Sequence, residues 1–198
     1  MRHTVREELR GILIFVGVIW AVFVVSLVFP DLNRLGLIPR TFRGLIGIAA
    51  MPFLHANVQH LIGNTVPLVV LLALLAGSRA RSWETVLEIA LLGGALLWAF
   101  GRSAVHVGAS GLIFGLAVFL VVSGFLEKRL IPILIALVVA FLYGGSILSG
   151  MIPRFGSEVS WDGHLYGALA GATVAWFLTR SGPSENEQSP TCPTTSKS

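Results

Sequence analysis

The sequence predicts an all-α membrane protein, a bundle of six transmembrane helices, on three observations. The chain of 198 residues is 55% hydrophobic and only 12% charged, about half the charge of an ordinary soluble domain. Its apolar residues come in long runs rather than amphipathic or alternating patterns, as lipid-facing helices require. Polar turns cut those runs into pieces close to the roughly 20 residues that a spanning helix needs. The length leaves room for one compact membrane domain, residues 11–180.

Residues 1–10 read as a short cytoplasmic segment. Between Arg10 and Asp31 nothing is charged, so Gly11 to Pro30 forms the first span, and no small-residue cleavage site follows it. Residues 31–54 differ. Prolines at 30, 39 and 52 and arginines at 34, 40 and 43 are read as breaking any helix, while Gly44 to Leu54 is apolar. The expectation is a loop lying partly in the membrane interface. A second span runs from about His55 to Gly77 and ends at Ser78-Arg79-Ala80-Arg81. The third, about Trp83 to Gly101, carries Glu84 and Glu88 one turn apart near its edge, facing headgroups or protein. The fourth covers about Gly108 to Leu126, closed by Glu127-Lys128-Arg129, and the fifth about Leu130 to Leu148. A Gly/Pro/Ser-bearing loop, 149–162, precedes the sixth, about Gly163 to Thr179. Residues 181–198 hold almost nothing apolar and are expected to be a disordered polar tail.

The formal charge of +4 suggests nucleic acid, but the basic residues stand singly or in pairs at the ends of apolar runs, without the stripe that such binding needs. No nucleic-acid partner is expected; the partner medium is the lipid bilayer. Six spans put both termini on one side, and that side carries nine of the fourteen Lys and Arg residues. The bias favours cytoplasmic termini in the cell membrane. Cys192 is the single cysteine and lies in the tail, so no disulfide framework or Cys-based metal site can be built. With His-Glu-x-x-His also absent, no metal or other cofactor is expected.

Polar side chains at membrane depth are costly and are functional candidates by default. They gather in three places. His60 and Asn64 are four residues apart in span two and share a face, about 40° apart on a helix, with His55 near the helix entry. In span four Ser110 stands in Gly108-Ala109-Ser110-Gly111, where glycines allow another backbone to approach and leave the hydroxyl uncovered. In span six His164, Gly167, Ala168, Gly171 and Ala175 form one stripe whose small residues let two membrane helices pack closely. If the partner is span four, Ser110 and His164 can meet. Each feature alone has a structural explanation: packing for the serine, interfacial anchoring for His164, interhelical hydrogen bonding for His60 and Asn64. Their coincidence in one short chain favours chemistry.

Serine attacks a carbonyl when a base takes its proton, and a desolvated imidazole is kept in the neutral form that a base requires. His60, Asn64 and the Ser110 N–H are donors able to hold the resulting oxyanion. A third triad member is not obvious. Asp162, two residues before His164, is the one aspartate placed to orient it, and a Ser–His dyad is the simpler reading. The α/β-hydrolase elbow Gly-x-Ser-x-Gly is excluded, because Leu112 stands two after Ser110.

The ordered set His55-x4-His60-x3-Asn64, Gly108-x-Ser110-Gly111 and His164-x2-Gly167-x3-Gly171, on spans two, four and six, resembles the rhomboid intramembrane serine proteases over about residues 10–180. The resemblance implies a six-helix bundle of rhomboid type with a serine at the base of a water-filled cavity. It makes Ser110 nucleophile, His164 general base, His60 and Asn64 oxyanion-hole donors, and His55 a supporting residue. Residues 31–54 become a membrane-embedded first loop, span five a lateral gate and 149–162 a cap. Substrates would be single-span membrane proteins that unwind locally near the membrane surface. Two positions depart from the family: a Trp-Arg pair of the first loop reads Phe42-Arg43, and Phe114 stands where an aromatic, often tyrosine, stacks on the histidine. Two rival readings remain: an inactive relative that binds membrane proteins, and a transporter or proton relay built on the membrane histidines.

Overall fold

A computed structural model describes residues 5–78, 81–153 and 160–180. Among them, seven α-helices follow one another: α1 (Val5–Val28), α2 (Phe42–Ala50), α3 (Val58–Ser78), α4 (Ser82–Phe100), α5 (Ser110–Glu127), α6 (Leu130–Gly150) and α7 (Trp161–Arg180). The described residues contain no β-strand; a single antiparallel bridge joins Leu37 to His106. The described part of the chain is thus all-helical. The helices α1, α3, α4, α5 and α6 are long and apolar enough to cross a membrane. At 20 residues α7 has the length, about 30 Å at 1.5 Å per residue, but Asp162, His164 and its glycines make it less apolar. The proposed tail 181–198 lies outside the described residues, as does the middle of the 149–162 loop.

Two boundaries differ from the sequence reading. The first helix begins at Val5 rather than Gly11, because its charged first turns find protein partners: Glu8 is buried and accepts a 2.8 Å hydrogen bond from the Ser82 hydroxyl at the start of α4. The 31–54 segment is not helix-free. Its prolines flank helices instead of interrupting them. Pro30 opens a 3-10 turn over Pro30–Leu35, Pro39 precedes the Thr41 cap of α2, and Pro52 sits in the first turn of Met51–Phe53, where a missing N–H costs nothing. The Thr41 hydroxyl accepts from the Gly44 N–H at 3.0 Å. The outer face of α2 exposes Phe42, Leu45 and Ile46, the amphipathic pattern of an interfacial helix. Arg40, rather than Arg43, anchors this segment. It adopts φ 57°, and its guanidinium donates to the carbonyls of Gly101 at 2.7 Å and Ala99 at 3.4 Å, a cation at the carbonyl end of α4.

The bundle is organised around α5. Ten of its eighteen residues are buried, and it packs most extensively on α7 and then on α6. By contrast α6 buries only Ala136 and Val139. It is the least enclosed spanning helix and touches the rest chiefly through α5. Glu84 and Glu88 are both exposed, and Glu84 pairs with Arg81.

Candidate active site

The site forms where α5 begins. Ser110 is the first residue of α5 and Ala109 its N-cap. The first helical donor is Ile113, bonded to the Ala109 carbonyl at 3.0 Å. The N–H groups of Ser110, Gly111 and Leu112 therefore precede the helical ladder and point out of the helix end, which carries partial positive charge. The approach to Ser110 requires glycine. Gly108 has φ 113°, a conformation closed to side chains, and its N–H donates to the Met51 carbonyl at 2.9 Å. A Cβ there would lie 2.7 Å from His60 Nε2 and 3.4 Å from Asn64 Nδ2. The imidazole and the amide thus lie over the backbone two residues before Ser110.

His55, His60 and Asn64 form one group. His55 is 1% exposed, and its Nε2 lies 3.0 Å from Asn64 Nδ2. An amide nitrogen only donates, so His55 is the acceptor there and holds the Asn64 side chain. The His60 ring meets the His55 ring edge-on, with centroids 5.1 Å apart.

The glycine stripe of α7 meets α5, as the sequence permits. A Cβ on Gly167 would overlap the Gly111 carbonyl oxygen, one on Gly171 would overlap that of Gly115, and one on Gly111 would lie 3.1 Å from the Gly163 oxygen. Backbone thus touches backbone along the seam, a contact reserved for small residues. The seam carries His164 to Phe114, where the two rings stack with centroids 4.0 Å apart and planes 8° from parallel. Phe114 lies one turn after Ser110 on the same face of α5. His164 Nδ1 is 2.9 Å from the carbonyl oxygen of Gly150, the last residue of α6. A carbonyl can only accept, so Nδ1 carries the proton and Nε2 keeps its lone pair. That is the tautomer a base needs. Phenylalanine at position 114 keeps the stacking.

Asp162 does not orient His164. It is buried and accepts from the Arg102 N–H at 3.0 Å, with the Arg102 side chain 3.4 Å away. The orienting acceptor is the Gly150 carbonyl, which no sequence pattern marks. His106 was also not singled out by the sequence. It is 2% exposed, and its Nδ1 lies 2.7 Å from Ser160 Oγ. Burial pushes this imidazole below its ordinary pKa; the Arg102 carbonyl and Asp162 act the other way. Its signal was present as an ionisable residue four before Ser110 in an apolar stretch. Among the described residues, no three His, Cys, Asp or Glu side chains are grouped to hold a metal ion.

Comparison with known proteins bears on the whole assembly. The Rhomboid domain family model matches residues 42–181, a span from α2 to the end of α7. An uncharacterized protein of Mycobacterium tuberculosis is 42% identical over 179 residues, covering 85% of this chain and 74% of its own length. An uncharacterized protein of Mycobacterium bovis matches to the same extent. One from Mycobacterium leprae is 43% identical over 145 residues, 68% of this chain and 57% of its own.

Proposed function

We propose, on the premise that this chain belongs to the rhomboid family, that it is an intramembrane serine endopeptidase working through a Ser110–His164 dyad. One observation carries this reading. His164 lies flat on Phe114, one turn from Ser110, with Nδ1 committed to the Gly150 carbonyl and Nε2 left as the proton acceptor.

In the proposed reaction Nε2 takes the Ser110 hydroxyl proton as Oγ adds to the substrate carbonyl. Negative charge develops on the carbonyl oxygen at the N-terminus of α5, where the Ser110 and Gly111 N–H groups and the side chains of His60 and Asn64 are the available donors. The His164 imidazolium then protonates the leaving amine, the C–N bond breaks, and an ester to Ser110 remains. Water, deprotonated by His164, cleaves that ester and restores the serine. His55 supports the donor group by holding Asn64.

The substrates in this reading are single-span membrane proteins cut in or near the bilayer. Their helices must unwind at the scissile bond, since a helical carbonyl is engaged and shielded. The functional unit is a six-span domain in the cell membrane with α7 as its sixth span and cytoplasmic termini. The glycine seam and the polar group at the α5 terminus favour this reading over a proton relay, which would need an acidic partner deep in a span: Glu84 and Glu88 are exposed, and the buried acids Glu8 and Asp162 sit in the first turns of α1 and α7. An inactive binding relative would be expected to lack Ser110 or His164.

The test is cleavage of a single-span substrate co-reconstituted in liposomes. Wild-type protein is expected to release a fragment that Ser110→Ala and His164→Ala do not. Cleavage that persists in both variants would refute the dyad.

A further inference from the structure

Beside the dyad lies a second buried polar cluster that the reaction does not consume. His106 Nδ1 is 2.7 Å from Ser160 Oγ, and its Nε2 is 3.1 Å from the Arg102 carbonyl oxygen and 3.8 Å from Asp162 Oδ2. Its backbone N–H and C=O both pair with Leu37, at 2.8 and 3.0 Å. Asp162, 2% exposed, accepts from the Arg102 N–H and has Oδ1 3.3 Å from Ser160 Oγ. Ser160 Oγ also accepts from the Gly163 N–H at 3.2 Å, capping the start of α7. The chain positions give the cluster its meaning. Arg102 and His106 belong to the segment that leads into Ser110, and Ser160 and Asp162 directly precede His164. The cluster ties the lead of the nucleophile to the lead of the base and pins both to the first loop at Leu37.

We propose that His106 and Asp162 are positioning residues that hold Ser110 and His164 in register, and that they do so while His106 is neutral. This inference rests on the dyad reading and deepens it. The hydrogen bonds fix the tautomer of the neutral ring. Nε2–H donates to the Arg102 carbonyl, so Nδ1 accepts from the Ser160 hydroxyl, whose oxygen in turn accepts from Gly163. The Ser160 hydroxyl has one proton and two acceptors within reach, His106 Nδ1 at 2.7 Å and Asp162 Oδ1 at 3.3 Å; the shorter contact takes it while Nδ1 is bare, and a second proton on His106 would leave it to Asp162. Among the described residues, the charged groups facing His106 are Asp162 from α7 and Arg102 from its own segment; the first loop offers only the Leu37 backbone. Asp162 favours the added charge, while burial and Arg102 oppose it, and burial is the largest of these influences. The neutral cluster therefore prevails at neutral pH and is lost as pH falls below the ordinary histidine range.

The test is the rate at which a fluorophosphonate labels Ser110 in the full chain, measured against pH, with thermal midpoints recorded in parallel. His106→Ala is expected to slow labelling at neutral pH by about 10-fold to 100-fold, the cost of roughly an ångström of misplacement. His106→Gln, whose amide can donate to the Arg102 carbonyl and accept from Ser160, is expected to recover most of the rate. On the acid side, where His164 must also stay neutral, the wild-type rate should fall more steeply than that of His106→Gln, by up to about one proton. A merely structural histidine would lower the midpoint without changing that slope. Wild-type labelling rates in His106→Ala, or an unchanged acid slope in His106→Gln, would overturn the proposal while leaving the dyad intact. Should His106→Ala not fold, the His106→Gln slope decides. Absence of labelling in the wild type would instead overturn the dyad, and this inference with it.

Discussion

Replacing Gly167 by alanine adds one methyl group at the point where α7 rests on α5. That methyl would overlap the Gly111 carbonyl oxygen and come within 2.7 Å of its carbon and 3.1 Å of the Gly111 Cα. Ordinary contact begins near 3.4 Å, and the obstacle is backbone, which cannot rotate away as a side chain could. The helices must separate by about 1 Å. His164 lies one turn before Gly167 and Ser110 directly before Gly111, so the separation opens at the dyad. A misplacement of that size costs on the order of 10²-fold in rate, and overpacking costs about 1–3 kcal/mol of stability. Gly17→Ala is the control, since nothing lies within 4 Å of the added carbon. Rates of substrate cleavage in liposomes, with thermal midpoints in detergent, read both quantities. Wild-type activity in Gly167→Ala would refute the claim that the glycine seam sets the distance between base and nucleophile.

Three other expectations follow from the same geometry. In Gly150→Ala the new methyl lies 2.5 Å from Phe114 Cζ and 3.2 Å from His164 Nδ1, so cleavage should fall about 10-fold or more as the base loses its orientation, with a smaller change in midpoint. Gly108→Ala forces a side chain into φ 113° and against His60, at a cost of at least about 1–2 kcal/mol, and should abolish cleavage and lower the midpoint together. The third concerns pH. A His106 pKa held below 6.5 in the folded state means that the unfolded chain binds the additional proton first as pH falls. The stability contributed is complete above 6.5 and lost as pH falls from there through the folded-state value. The midpoint of wild-type protein should therefore decline faster toward acid than that of His106→Gln, and parallel curves would contradict this.

The spans were legible because a bilayer permits little besides apolar helices, and the α5–α7 seam because small residues at helical spacing have few other uses. The helix in 31–54 was missed because prolines were counted as breakers without regard to position; Pro39 and Pro52 sit where helices begin. Arg40 was hidden for a related reason, since capping α4 depends on a loop that brings residue 40 to the Ala99 and Gly101 carbonyls. The Gly150 carbonyl was invisible because every residue has one. Asp162 came into view as a third member only for its nearness in sequence to His164, but aspartate and histidine two apart on a helix face different ways, and Asp162 faces Arg102. His106 was passed over because its partners, Ser160 and Asp162, lie more than fifty residues along the chain.

The central claim is that Ser110 is a nucleophile activated by His164. Its most direct measurement is mass-spectrometric mapping of a fluorophosphonate adduct on purified, reconstituted protein. The account predicts a single adduct on the peptide containing Ser110, lost in Ser110→Ala and strongly reduced in His164→Ala. An adduct that survives Ser110→Ala and maps to Ser160, whose hydroxyl lies against the buried His106, would contradict it, as would labelling indifferent to His164.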